Sequence, residues 1–517
     1  MSGVLVLTAS TIIVKIIGLA YKIPLLSVMG AEGMGYFNSA YEIYALLCGI
    51  STSGLPIAVS MLISSAKEEG DLSKQRGVFR TASALLLTKG ILSAALLALF
   101  ARSLSRFIGN TDAYLAILAI SPALLFSCIS GAIRSYFQGH RRMAPTAISQ
   151  LIEALGKLIF GVAFACLALK MGLGIPTAAA FAVMGVSLGS LLAALFLVVK
   201  RAMESTEKKI KTANKKGGYV FSLLHISLPI TLGSALMGST RMLDMALIMR
   251  RLQDIGVSAA EANRIYGSYT TLALPIYGLV PAFIPPITES LIPRLSAVAG
   301  TDRLDEQRGA VASSMRLTLL LAIPSAMGVA LYSSQIIGLL FGNGDASAVG
   351  APLLSALGVS VLLTCMITTV TAILQSYKKV IAPIAALAAG AAVKAVSAYF
   401  LIGNPDVREM GAPISTLLFN VTVLAIDLVF VYRVVPRGTG MLKTLPRCAV
   451  SGAIAMIISY ATYLALSKHI SVTAVPFLAA LIVAVVAYFV LAYAFGIVSK
   501  DDISVVSRKS GDVHRSK

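Results

Sequence analysis

Charge is what this sequence has least of. Aspartate, glutamate, lysine and arginine make up 13% of its 517 residues, against about 25% in an ordinary soluble domain. Hydrophobic residues reach 57% and the mean hydropathy is +0.85. A water-soluble core has no room for so much apolar surface, so a soluble enzyme or binding module is excluded. Cysteine is also scarce. Cys48, Cys128, Cys166, Cys365 and Cys448 are dispersed, odd in number and set in apolar runs, which reads as small core hydrophobes rather than disulfides or metal ligands. Catalytic signatures are missing as well: there is no GxxxxGK[ST] phosphate loop, no HExxH and no Cys/His cluster. ATP hydrolysis by a P-loop is therefore excluded, and no cofactor or metal is expected. GAEGMG, Gly30 to Gly35, superficially resembles a dinucleotide fingerprint, but it follows no strand and lacks the full spacing, so it reads as a tight turn.

What the chain does have is apolar runs of about 20 residues. Fourteen are expected, beginning near residues 5, 36, 78, 113, 145, 176, 219, 264, 313, 348, 381, 411, 446 and 473. The fold class is thus an all-α polytopic membrane protein with 14 transmembrane helices. Basic residues give the orientation, since cytoplasmic loops collect Lys and Arg. With the N-terminus inside, inward segments hold 28 of the 43 Lys and Arg, outward loops hold eight, and seven lie within spans. Both termini are expected in the cytoplasm. The net charge of +20 is accounted for by this signal and by attraction to anionic headgroups, so no nucleic-acid partner is expected. The first span has no basic n-region and no small-residue cleavage site, and is expected to stay as an uncleaved signal-anchor.

The long hydrophilic connector ESTEKKIKTANKKGG, Glu204 to Gly218, divides the chain. The expected segments are an N-terminal lobe at 1–203 (spans one to six), a basic cytoplasmic linker at 204–218, a C-terminal lobe at 219–440 (spans seven to twelve), a helix pair at 441–499 and a cytoplasmic tail at 500–517. A duplication supports this division. CISGAIRSYFQGHRRMAP, Cys128 to Pro145, falls on CMITTVTAILQSYKKVIAP, Cys365 to Pro383, and Lys157 falls opposite Lys394. An offset of 230 also sets Tyr36 on Tyr266, Pro56 on Pro286 and Ser60 on Ser290. Parallel halves of this kind place the substrate between them in transporters.

Charged side chains inside spans are the functional candidates, each costing roughly 2.5–3.5 kcal/mol at a helix centre. Lys15 and Lys22, in TIIVKIIGLAYKI, lie seven residues apart on one helix face with no acid between them, so an anion is needed to offset them. Glu42 on span two can neutralise one. Arg241 and Asp244, at i,i+3 on span seven, can pair with each other. Together Lys15, Lys22, Glu42, Arg241 and Asp244 form a positive group suited to a phosphate-bearing substrate. Secondary candidates are Asn38, Glu153, Lys157, Lys394 and Asp427. Glu153 and Lys157 stand at i,i+4 with the acid first, the favourable order for an intrahelical ion pair. Asp427 is isolated on span twelve, as a buried acid or a functional one. Lys89, Arg134 and Glu289 are placed near span ends, where they can snorkel.

Fourteen spans, duplicated six-helix lobes and KIIGLAYK followed by SGLPIAVSMLISS resemble the multidrug/oligosaccharidyl-lipid/polysaccharide (MOP) exporter superfamily. The closest likeness is to its polysaccharide-transport branch, which holds the stage V sporulation protein B and lipid II flippase families. The resemblance implies a V-shaped alternating-access bundle of two pseudo-symmetric six-helix lobes plus a C-terminal helix pair. It implies a cationic central cavity for a diphosphate-sugar headgroup and a groove at the last two helices for a polyprenyl tail. Lys15 matches a basic cavity residue of the family, and Lys22 approximates a second, displaced by one position. LALPIYGLVPAFIPPITESLIPRLS, Leu272 to Ser296, resembles the family's eighth helix. The family's arginine near the start of that helix falls on Thr270, and its second-helix acid falls near Tyr36; Arg241 is expected to supply the missing cation. The implied activity is flipping of lipid II or a related cell-wall or polysaccharide precursor in a bacterial cytoplasmic membrane. Membrane lipids and a coupling ion, Na⁺ or H⁺, are the other implied partners. A cation-coupled multidrug antiporter of the same superfamily is the alternative; it requires a cavity dominated by acids. A membrane enzyme would need a sizeable polar loop, and none is expected.

Overall fold

The computed structural model describes residues 2–204, 218–285, 295, 303–379, 381–436, 440, 442–470 and 474–497. Among them the chain is helical. Its contacts divide it into two compact units, residues 1–271 with 402–406 and residues 272–401 with 407–517. Within the first unit the helix Gly218–Asp254, which the sequence places after the basic connector, packs on the helices Lys22–Thr52 and Gly54–Glu68.

The first unit comprises α1 (Ser2–Ala20), α2 (Lys22–Thr52), α3 (Gly54–Glu68), α4 (Leu72–Leu99), α5 (Ala101–Phe107), α6 (Tyr114–Gly139), α7 (Ala144–Lys170), α8 (Ile175–Glu204), α9 (Gly218–Asp254) and α10 (Ala259–Ser268). A π-turn at Tyr269–Ala273 follows α10. Local chemistry sets the ends. Asp71 caps α4 by accepting from the Lys74 backbone N–H at 2.8 Å, and Ser258 caps α10 by accepting from that of Glu261. Gly30 interrupts α2 with φ +67°, a conformation open to glycine and costly elsewhere. The GAEGMG stretch is therefore a kink at Gly30 with helix resuming at Ala31, and not the tight turn between two spans that the sequence suggests.

The second unit holds α11 (Leu274–Leu279), α12 (Leu304–Leu331), α13 (Ser333–Phe341), α14 (Asp345–Ser376), α15 (Ile381–Ile402), α16 (Gly411–Val434), α17 (Leu445–Ser467) and α18 (Ala474–Ala494). Twelve helical stretches among the described residues are long and apolar enough to cross a membrane, against fourteen expected. The difference has two sources. Ser10–Glu68 runs as one 59-residue helical stretch where the sequence places spans one and two. The span beginning near 264 is broken by the π-turn, and its continuation at 286–294, with Glu289, Pro286 and Ser290, lies outside the described residues.

The duplicated stretches fold alike. Arg141 and Lys378 are two of three non-glycine residues with positive φ among those described, at 59° and 60°. In the first turn Arg141 N–H donates to Gln138 O and Arg142 N–H to Phe137 O; in the second Lys378 N–H donates to Gln375 O and Lys379 N–H to Leu374 O. These are the paired bonds of a Schellman ending. Cys128 and Cys365 are both buried. Helix ends keep the same register: α6 ends at Gly139 and α14 at Ser376, while α7 begins at Ala144 and α15 at Ile381. Each pair is 237 positions apart.

Helices α7 and α8 approach through small residues, the usual solution in lipid, where burial of apolar surface drives little association. A Cβ on Gly156 would sit 2.6 Å from Gly189 Cα, and one on Gly189 would sit 2.8 Å from Glu153 O. Gly189→Leu is therefore expected to force the pair apart and cost about 1–3 kcal/mol, lowering the thermal midpoint in detergent well below that of Gly189→Ala. A leucine variant melting with the wild type would contradict this packing.

Candidate functional site

The site is built from helix faces. Lys15 lies on α1, and Lys22 opens α2 directly after Tyr21. Packing of α1 on α7 and of α2 on α6, α7 and α10 brings these lysines toward the charges of α6 and α7. A cavity of about 460 Å³ opens there, lined by Lys15, Tyr21, Lys22, Phe37, Asn38, Tyr41, Glu42, Arg134, Gln150, Glu153 and Lys157, with Thr11, Val14, Gly18 and Ala154. Four basic side chains face two acids, a formal excess of two positive charges.

Glu153 organises one wall. Its Oε2 accepts from Arg134 Nη2 at 3.0 Å, and its Oε1 lies 3.1 Å from Lys157 Nζ and accepts from Ser190 Oγ at 3.3 Å. Arg134 Nε also donates to Ser149 Oγ at 2.8 Å. The i,i+4 pair of Glu153 and Lys157 thus forms as its spacing predicts, and Lys157 Nζ also sits 6.0 Å from the centre of the Tyr41 ring. Arg134 does not snorkel. It points into the cavity wall with its side chain 19% exposed, because the α6–α7 contact places Glu153 within its reach.

On the opposite wall, Lys22 Nζ donates to Thr270 O at 2.8 Å, inside the π-turn. A carbonyl orients an ammonium but brings no counter-charge to it. Asn38 Nδ2 donates to Thr270 Oγ1 at 2.9 Å and Thr271 Oγ1 at 2.8 Å, tying α2 to the same turn. Arg241 reaches across to Glu42, its Nε 3.6 Å from Oε2. Glu42 also feels the charges of Lys22 and Asp244. Because α9 lies against α2, Arg241 meets Glu42 in addition to standing at i,i+3 from Asp244. Lys15, the most open of the lysines, is exposed at the cavity edge.

Two sequence candidates belong to the second unit and do not line this cavity. Lys394 is buried, with Nζ 5.8 Å from the centre of the Phe419 ring. Asp427 is fully buried on α16; its Oδ2 accepts from Thr371 Oγ1 at 3.4 Å. That unit contains its own apolar cavity of about 330 Å³, lined by residues of α12, α17 and α18 including Leu320, Tyr332, Met456, Phe477 and Tyr488. Sequence reasoning missed Arg134, Gln150 and Tyr41 as site residues. An arginine, a glutamine and a tyrosine in separate apolar runs carry no shared spacing; only helix packing groups them.

Comparison with known proteins follows from this geometry. Residues 1–299 match the family described as Polysaccharide biosynthesis protein. The chain is 25% identical over 443 residues to stage V sporulation protein B of Bacillus subtilis (strain 168), covering 84% of each chain. It is 27% identical over 463 residues to the lipid II flippase MurJ of the same organism, covering 83% of this chain and 82% of that one. Among solved structures, the inward closed conformation of a lipid II flippase MurJ overlays with a TM-score of 0.70 at 16% identity, over 95% of this chain and 98% of that chain. A multidrug resistance MATE family transporter of the MOP superfamily overlays with a TM-score of 0.69 at 14% identity, over 84% and 98%. Both show the MOP fold, as the sequence resemblance implies.

The charge geometry makes a test. Removing Glu153 leaves Arg134 and Lys157 facing each other without an acid. Glu153→Ala is expected to cost roughly 2 kcal/mol, less than a fully buried pair because the groups keep some exposure. Restoring neutrality with Lys157→Ala in the same chain is expected to recover part of the loss in thermal unfolding. Additive losses would show that the two groups do not interact.

Proposed function

The chain belongs to the polysaccharide biosynthesis protein family, and from that membership we propose that it is a flippase for a polyprenyl-diphosphate-linked saccharide, lipid II or a related cell-wall or polysaccharide precursor. The observation that carries the reading is the cavity of four basic and two acidic side chains. Ammonium and guanidinium groups together suit a diphosphate, one as a point charge and the other as a planar fork. Lys15, Lys22 and Arg134 receive the phosphates, with Lys157 fixed beside them by Glu153. Arg241 and Asp244 set the charge felt by Glu42, and Asn38 keeps the π-turn against α2.

In this reading the headgroup enters from the cytoplasmic leaflet, alternating access exposes it outside, and the tail stays in lipid beside α17 and α18, where the apolar cavity gives it a surface. The lobes of the duplication are residues 1–203 and 219–440, with 441–499 serving the tail. The protein is a multi-pass transporter of a bacterial cytoplasmic membrane, with both termini inside, and not an enzyme. Driving force comes from the membrane potential, a Na⁺ or H⁺ gradient, or consumption of the product outside. In this reading Lys394 and Asp427, which are buried in the second unit, are the charged groups of that unit that would respond to such an ion.

The second reading, a cation-coupled multidrug antiporter, is favoured by the MATE overlays and by the presence of Glu42 and Glu153 in the cavity. The positive excess opposes it, because an organic cation would be repelled. Proteoliposomes separate the two. Wild type is expected to translocate fluorescent lipid II or an undecaprenyl-diphosphate oligosaccharide, and the double variant Lys15→Ala, Lys22→Ala to lose at least tenfold in rate. Full activity in a folded double variant would sink the anion-cavity reading, and cation efflux without lipid transport would select the antiporter.

A further inference from the structure

Two acceptor oxygens in this cavity have no hydrogen bond. Gln150 Oε1 on α7 is buried and accepts no hydrogen bond, and Glu42 Oε2 on α2 accepts none either, its contact being the ion pair with Arg241 Nε at 3.6 Å. Both residues line the cavity. Glu153, by contrast, has both oxygens engaged by Arg134, Lys157 and Ser190. Buried acceptors in folded proteins are nearly always paired, and an unpaired one marks a position to which a donor is brought.

The donor has a definable chemistry. An ionised phosphate offers acceptors only, and Glu42 repels it. The basic residues of the cavity answer phosphate oxygens, but they leave the Gln150 and Glu42 oxygens unanswered. A group rich in O–H or amide N–H donors, attached to the anionic group, satisfies both sets at once. A sugar joined to a phosphate has this composition.

We propose that Gln150 and Glu42 form a saccharide subsite, accepting hydrogen bonds from hydroxyl or acylamino groups of the sugar next to the diphosphate. This inference rests on the flippase reading and states which part of the cargo the cavity reads. The lysines and Arg134 hold the charge common to every such lipid. Gln150 and Glu42 discriminate among glycans, because an acceptor is left unpaired when the matching donor is missing.

Binding to the full-length protein in detergent tests it with two probes, undecaprenyl diphosphate and the same lipid carrying one N-acetylhexosamine. Wild type is expected to bind the glycosylated lipid more tightly. Gln150→Leu is expected to weaken that binding about fivefold, the range of one neutral hydrogen bond, and to leave the sugar-free lipid unchanged. Gln150→Asn, which withdraws the carbonyl by one methylene, is expected to act in the same direction and serves if the leucine variant does not fold. Equal weakening of both lipids, or no change in either, overturns the subsite while leaving the flippase reading intact. A wild type that binds neither lipid but binds tetraphenylphosphonium overturns both.

Discussion

A charge placed among membrane helices must be answered within a few ångströms, and the first unit is organised around that constraint. Glu153 answers two cations from two helices, Arg134 on α6 and Lys157 on its own α7, with Ser190 of α8 as a third contact. The close approach of α7 and α8 at Gly156 and Gly189 is what lets Ser190 reach. Packing and electrostatics are therefore coupled at one position. With Glu153 consumed in this way and Glu42 shared between Lys22 and Arg241, the cavity keeps its positive excess.

The duplicated halves have diverged in where they keep their charges. At the common separation of 237 positions, Arg134 falls on Thr371, Ser190 on Asp427 and Lys157 on Lys394. The contact between α6 and its neighbours, an arginine to a glutamate, becomes in the second unit a threonine to an aspartate, Thr371 to Asp427. Glu153 itself falls on Gly390, where a Cβ would press on Val423 and Phe419, and Lys394 has its Nζ near the Phe419 ring. The same scaffold thus lines its cavity with charges in the first unit and with apolar side chains in the second.

Much of this was legible beforehand. Low charge density and repeated apolar runs give a helical membrane protein without further information, and the i,i+4 spacing of Glu153 and Lys157 announces their pair. The kink at Gly30 and the shared ending at Arg141 and Lys378 were marked by glycine in one case and by matching residues in the other. Arg134 was misplaced because distance from a span end is a poor guide when an acid on the next helix is within reach. The contact of Arg241 with Glu42 was not legible for a related reason: i,i+3 spacing reports neighbours on one helix and is silent about α2.

The sequence by itself determined class, helical content, the duplication and the sign of the charges available to a site, because these follow from composition and from periodicities along the chain. Tertiary structure alone decided which of those charges meet. Lys15, Lys22, Glu42, Arg134, Gln150, Glu153 and Lys157 come from four helices and share a cavity only through the packing of α1, α2, α6 and α7. The physical reason is that a helix places residues three and four apart side by side, whereas contacts between helices depend on crossing geometry that no local pattern encodes.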